Sequence, residues 1–123
     1  MTRINVGIDP SELPTKLLLA EHRELKRIPN MVREQRVKLS GIPDRFTLGT
    51  GHVKFFYNKL GYLKSRYHKI YNECVSRECN VQYYGDSFEG IPENLMSEYC
   101  STERDRELLI ERIHLRGFKL LSE

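Results

Sequence analysis

The feature that most constrains this chain is a long helical stripe of large apolar side chains. Val53, Phe56, Tyr57, Leu60, Leu63, Tyr67, Ile70, Tyr71 and Cys74 recur mostly three or four residues apart, so they line one face of a helix expected to begin at His52. Such a face must be buried against other elements, and Tyr57, Tyr67 and Tyr71 are read as core on this ground. Two shorter helices supply the partners. Pro14 opens a segment over 14–28 that carries Leu18, Leu25, Ile28 and Val32 on one side, with Pro29 expected to end or kink it. Thr102 to Leu115 forms the other, with Thr102 and Asp105 spaced for a capping box. Ser40, Gly41, Pro43, Gly49 and Gly51 mark a connector, and Gly85, Asp86, Ser87, Gly90 and Pro92 mark a loop over 84–93. With 123 residues there is chain for one modest core and too little for two domains of ordinary size. The expectation is all-α: one compact domain spanning 1–123, three main helices joined by long loops.

Charge is segregated along the chain. Residues 16–69 hold 13 Lys/Arg against 4 Asp/Glu, a local +9, whereas 70–123 carry a local −5 and 1–15 a local −1, within a net charge of +3. A one-sided positive field is what a polyanion partner requires, nucleic acid above all. The first twenty residues carry Arg3, Asp9, Glu12 and Lys16 where a secretion signal needs an apolar run, and no stretch is long and apolar enough for a membrane span. Cys74, Cys79 and Cys100 form no CxxC pair and leave one thiol over under any pairing, which points to ordinary thiols in a reducing cytoplasm. Their spacing with His22, His52, His68 and His114 matches no zinc motif, so neither metal nor cofactor is expected.

Two places could carry chemistry. Threonine at position 2 is small enough for Met1 to be removed ahead of it, which would expose the α-amine of Thr2. Such an amine titrates near ~8 and is therefore partly neutral and nucleophilic at neutral pH, able to attack a sugar aldehyde carbon. The second place is Glu24, a carboxylate set among His22, Arg23, Lys26 and Arg27, with Lys16, Arg23 and Arg27 spaced along one side of the helix. On a surface meant for phosphates it either balances its basic neighbours or acts on the substrate. His52, at the expected start of the long helix, is read as a structural cap or phosphate contact.

These residues also support a resemblance. The blocks Met1-Thr2-Arg3-Ile4-Asn5, Ser11-Glu12-Leu13, Leu19-Ala20-Glu21-His22-Arg23-Glu24-Leu25 with Arg27, and Leu48-Gly49-Thr50-Gly51-His52-Val53-Lys54-Phe55-Phe56-Tyr57-Asn58-Lys59-Leu60 resemble the phage endonuclease V family. The likeness continues through Leu63, Arg66, Glu73-Cys74 and Ile91-Pro92. It implies a helical domain with the N-terminal segment threaded between helices, acting as a monomer on double-stranded DNA that holds pyrimidine dimers or abasic sites. It also implies a glycosylase with an attached lyase activity: the Thr2 α-amine attacks C1′, expels the base and forms a Schiff base, and Glu24 supports both cleavages. DNA contacts are then expected from Arg3, Lys16, Arg23, Lys26, Arg27, Arg33 and His52, with the base opposite the lesion flipped from the stack.

The chain departs from the family pattern at several points. Lys16-Leu17 stands where members usually carry Gln-His, His22 stands where they usually carry Tyr, and the aromatic C-terminal tail is replaced by Phe118-Lys119-Leu120-Leu121-Ser122-Glu123, with no Trp in the chain. Those changes favour two alternatives, a glycosylase for a different modified base and a relative that binds DNA without excising dimers. All three readings share one expectation: affinity for duplex DNA should fall with salt, by about 0.9 in log K per neutralised phosphate per log unit of salt. A titration in which affinity ignores salt would exclude DNA as the partner.

Overall fold

The computed structural model describes residues 2–123, so the expected removal of Met1 lies outside the described residues. The regular structure there is helical: α1 is Thr15–Leu25, α2 Arg27–Arg33, α3 Leu60–Ser76 and α4 Glu103–Leu115, with single 3-10 turns at Pro10–Glu12, Lys54–Phe56, Gly85–Phe88 and Glu93–Leu95. The all-α architecture is therefore the one expected, with α1, α3 and α4 as its main helices. None of the described helices is long and apolar enough to cross a membrane.

One boundary follows the sequence expectation and one does not. Pro29 breaks the helix: it has no N–H for the Leu25 carbonyl four residues back, so α1 stops at Leu25 and α2 restarts at Arg27 with Pro29 as its third residue. The long helix begins at Leu60, not His52. His52, Phe55 and Phe56 are all buried in the stretch that precedes it. A 3-10 turn over Lys54–Phe56 and an irregular Lys59 (φ −125°, ψ 39°) reorient the chain before α3 starts. At α4 the Thr102–Asp105 capping box forms with both of its reciprocal bonds.

The stripe of α3 packs on α1, with Leu63, Tyr67, Ile70 and Cys74 meeting Leu18 and Leu25 in the core. Between the helices runs the N-terminal segment, non-helical and deeply buried at Ile4, Asn5, Val6 and Ile8. Its backbone cannot use helical hydrogen bonds there, so side chains from the surrounding elements supply partners. Glu21 of α1 accepts from the Asn5 side chain (2.7 Å), Arg66 of α3 donates to the Ile8 carbonyl (2.9 Å), and Arg106 of α4 donates to the Gly7 carbonyl (3.0 Å). Gly7 sits at φ 79°, and a Cβ there would press on the Arg106 backbone at 3.1–3.3 Å, so α4 can approach this closely only because the residue is glycine.

A buried ion pair closes the arrangement. Arg66 Nε lies 2.5 Å and Nη2 3.1 Å from the two Glu21 oxygens, in a fork that satisfies both partners with the Asn5 and Ile8 contacts. Both side chains are almost completely buried. Arg106 makes a second, more exposed fork to Glu12 at 2.8 Å through each of two nitrogens, which holds the Glu12 carboxyl down at about 2. Residues beyond α4 return to the same place, where the Leu121 N–H donates to the Glu12 carbonyl and Ser122 Oγ to its carboxylate.

Removing one partner of the inner pair should be far worse than removing both. Arg66→Met strands the Glu21 carboxylate in the core and should cost about 3–5 kcal/mol, read as a lower urea midpoint, whereas adding Glu21→Leu should recover a large part of that loss. A midpoint unchanged by Arg66→Met would show that the pair contributes nothing to the fold.

Candidate active site

The face of α1 built from Leu17, Ala20, Glu21 and Glu24 forms one wall of a cleft of about 320 Å³. Arg3 and Asn5 of the threaded segment enter it, and Arg112 and Arg116, from the last turn of α4 and the residue capping it, close the other side. Glu21 is committed to Arg66, which leaves Glu24 as the carboxylate available to a bound molecule. Glu24 is largely enclosed, its side chain 15% exposed, and among the described residues it pairs with Arg23 Nη2 at 3.3 Å, whose own side chain is 60% exposed. An ion pair that open to water holds its partner weakly. The Nε of Arg112 is buried with no hydrogen-bond partner, an unspent donor on a guanidinium that borders the cleft.

Three arginines converge here with one loosely held carboxylate, from three separate parts of the chain. The cationic groups suit phosphate oxygens, which Arg binds through paired donors. Glu24 suits proton transfer, being held beside cations without being consumed by them. Thr2 directly precedes Arg3 and is 9% exposed, so the residue expected to act as nucleophile is the neighbour of one that lines the cleft.

The other residues expected at this surface divide. Lys16, Arg23 and Arg27 are exposed, but Arg27 belongs to α2, beyond the break at Lys26, and so the three do not share one helix. Lys26 is drawn inward: its Nζ sits 3.6 Å above the Tyr84 ring and donates to the Arg23 carbonyl. Arg33 ties down the loop after α3, donating to the carbonyls of Asp86, Ser87 and Glu89.

His22 and His52 are both placed in the core, which leaves His52 the structural role expected of it and takes away the phosphate contact. His22, expected among the charged neighbours of Glu24, faces inward against Tyr67, Tyr71 and Tyr84. The Tyr84 N–H donates to Tyr67 Oη (2.7 Å), and the same hydroxyl is hydrogen-bonded to His22 Nε2 (3.0 Å). His52 is 4% exposed and spends both ring nitrogens on backbone, Nδ1–H on the Thr47 carbonyl and Nε2 as acceptor from the Ile4 N–H, each at 3.0 Å. No phosphate can reach it. Its work is to hold the segment that carries Thr2 and Arg3. Burial pushes the pKa of both imidazoles down, in keeping with neutral rings that accept.

Sequence reasoning missed Arg112 and Arg116, because they sit in the half of the chain that is acidic overall. The available signal was their spacing of four on a helix, which places both on one side. It missed the Glu21–Arg66 pair as well, whose members are 45 residues apart.

The family model for pyrimidine dimer DNA glycosylase matches residues 1–84, and the chain belongs to that family. Damaged DNA is accordingly its substrate class and base excision its reaction class. The matched residues include Thr2, Arg3, Glu21, Glu24, His52 and Arg66, while Arg112 and Arg116 lie beyond them.

Because His22 and His52 are neutral in the fold and carry lowered pKa values, the unfolded chain binds more protons below the ordinary histidine value near ~6.5. Their contribution to stability should be fully present above that pH and decline on acidification towards the folded-state values. Urea midpoints between pH 7.5 and 5 should fall, and the fall should flatten in His52→Gln. Midpoints that stay level over this range would mean that neither ring is held neutral.

Proposed function

We propose that this chain excises pyrimidine dimers from duplex DNA as a monomer, through the α-amine of Thr2 once Met1 has been removed. The observation that carries the reading is the cleft in which Glu24 lies among Arg3, Arg112 and Arg116, with Thr2 adjoining Arg3. The arginines hold phosphates on either side of the lesion, and exposed Lys16, Arg23 and Arg27 extend the grip. The neutral amine attacks C1′ while the bond to the damaged base breaks, and the base leaves with the bonding electrons. Opening of the sugar ring then gives an imine between Thr2 and C1′. Glu24 accepts a proton from C2′, the C3′–O bond breaks with loss of the phosphate, and water hydrolyses the imine to return the free amine.

One position in the cleft favours a second reading. Leu17 lines it where family members usually carry His, so the wall facing the base is more apolar here and suits a different modified pyrimidine. Excision assays on dimer-containing and oxidised-pyrimidine duplexes separate the two.

Glu24→Gln should leave DNA affinity equal or tighter, since it removes a negative charge, and should lower turnover by about 10²–10⁴-fold, the range typical of lost acid/base assistance. Unimpaired cleavage by this variant would remove Glu24 from the chemistry. Borohydride should trap a covalent adduct of the mature protein with an abasic-site duplex, and one extra residue ahead of Thr2 should abolish trapping. Equal trapping by both forms would assign the nucleophile to a lysine.

A further inference from the structure

Helix α3 ends in a turn that folds the chain back on itself. The Cys79 N–H donates to the Cys74 carbonyl and the Glu78 N–H to the Val75 carbonyl, each at 2.9 Å, and Glu78 takes a left-handed backbone (φ 60°). This pair of bonds is the Schellman closure, which brings a side chain of the last helical turn against the one two residues past the cap. Here those two side chains are Cys74 and Cys79. Both belong to the apolar cluster, Cys74 fully buried and Cys79 partly buried against it. A backbone bond of this length holds their α-carbons about 5–6 Å apart, the separation a disulfide spans. Arg77, between them, pins the turn: it pairs with Glu73 (2.8 Å) and donates to the Pro10 and Ser11 carbonyls and to Thr15 Oγ1.

We propose that Cys74 and Cys79 form a reversible oxidation site, closing to an intramolecular disulfide when the surrounding pool of small thiols is oxidised. This holds whatever chemistry the cleft performs. The oxidant is a small disulfide of the glutathione type. Cys79, the accessible partner, gives its proton to water and its sulfur attacks one glutathione sulfur; the glutathione S–S bond breaks, and the departing sulfur takes up a proton. The Cys74 sulfur loses its proton in turn, attacks the Cys79 sulfur of the mixed disulfide and expels the second glutathione as a thiol. Two protein thiols are thereby oxidised and one glutathione disulfide is reduced to two thiols. Burial pushes the Cys74 thiol up to about 11, so closure is the slower step. The bond spans only the turn, which lies beside Thr15 at the end of α1 remote from Glu24, so the cleft is untouched by it. A pair that closes in this way is spared the further, irreversible oxidation open to an unpaired thiol.

Treatment of the native full-length protein with oxidised glutathione, followed by acid quenching, alkylation and tryptic mapping, tests the assignment. Cleavage at Arg77 separates the two cysteines, so their disulfide appears as two linked peptides that reduction divides. Wild-type protein should first carry glutathione on Cys79 and then lose it as the linked pair accumulates, while exposed Cys100 keeps its own. Cys74→Ala should hold glutathione on Cys79 without loss, because no second thiol displaces it. Cys79→Ser changes a partly exposed position and keeps the fold testable whatever Cys74→Ala does; it should leave Cys74 reduced. Glutathione retained on Cys79 of the wild type would overturn the proposal, as would linked peptides joining Cys100 to either cysteine. Prompt modification of Cys74 in Cys79→Ser would overturn it too, since the turn would then be open and Cys74 an ordinary accessible thiol.

Discussion

The structure depends on one buried ion pair. Glu21 and Arg66 join α1 to α3 through the core, and their remaining hydrogen-bonding capacity is spent on Asn5 and on the Ile8 carbonyl. A charge so deeply buried is tolerated only when it is both paired and fully hydrogen-bonded, and the threaded N-terminal segment is what completes the set. Pair and segment therefore require one another. Without the segment the fork is left short of partners, and without the fork the Asn5 side chain and the Ile8 carbonyl lose theirs.

The same pair separates two sides of the molecule. Glu21 forms part of the wall of the cleft that holds Glu24, and Arg66 lines a polar cavity on the far side, together with Asp9, Lys69 and Glu98. Neutralising Glu21 from behind leaves Glu24 as the carboxylate free to face a substrate. Three arginines from the N-terminal segment and the end of α4 then set a positive surround for it. The long basic run contributes less to this cleft than its charge suggests, because Lys26 lies on Tyr84 and Arg33 is bound to loop carbonyls.

Much of the helical layout was legible in the residues. The α3 stripe, the apolar side of α1 and α2, and the Thr102 cap depend on neighbours within a turn or two, and periodicity reports such neighbours directly. Pro29 was legible as a breaker, and the chain breaks at Lys26, three residues before it. The start of α3 was not legible: the run from His52 keeps helical spacing, yet Lys54–Phe56 forms a 3-10 turn and the helix begins at Leu60. The direction of the His22 side chain was not legible either. A helical position next to Arg23 and Glu24 does not say which way His22 points, and inward it finds Tyr67, 45 residues away.

By itself the sequence determined that this chain is helical and that its positive charge is concentrated in one stretch. These are properties of residue types and short spacings. Only the tertiary structure decided that Arg112 and Arg116 close the cleft and that His52 anchors the N-terminal segment instead of meeting phosphate. Both depend on which distant segments share a small volume, and burial and charge pairing settle that for the folded chain as a whole.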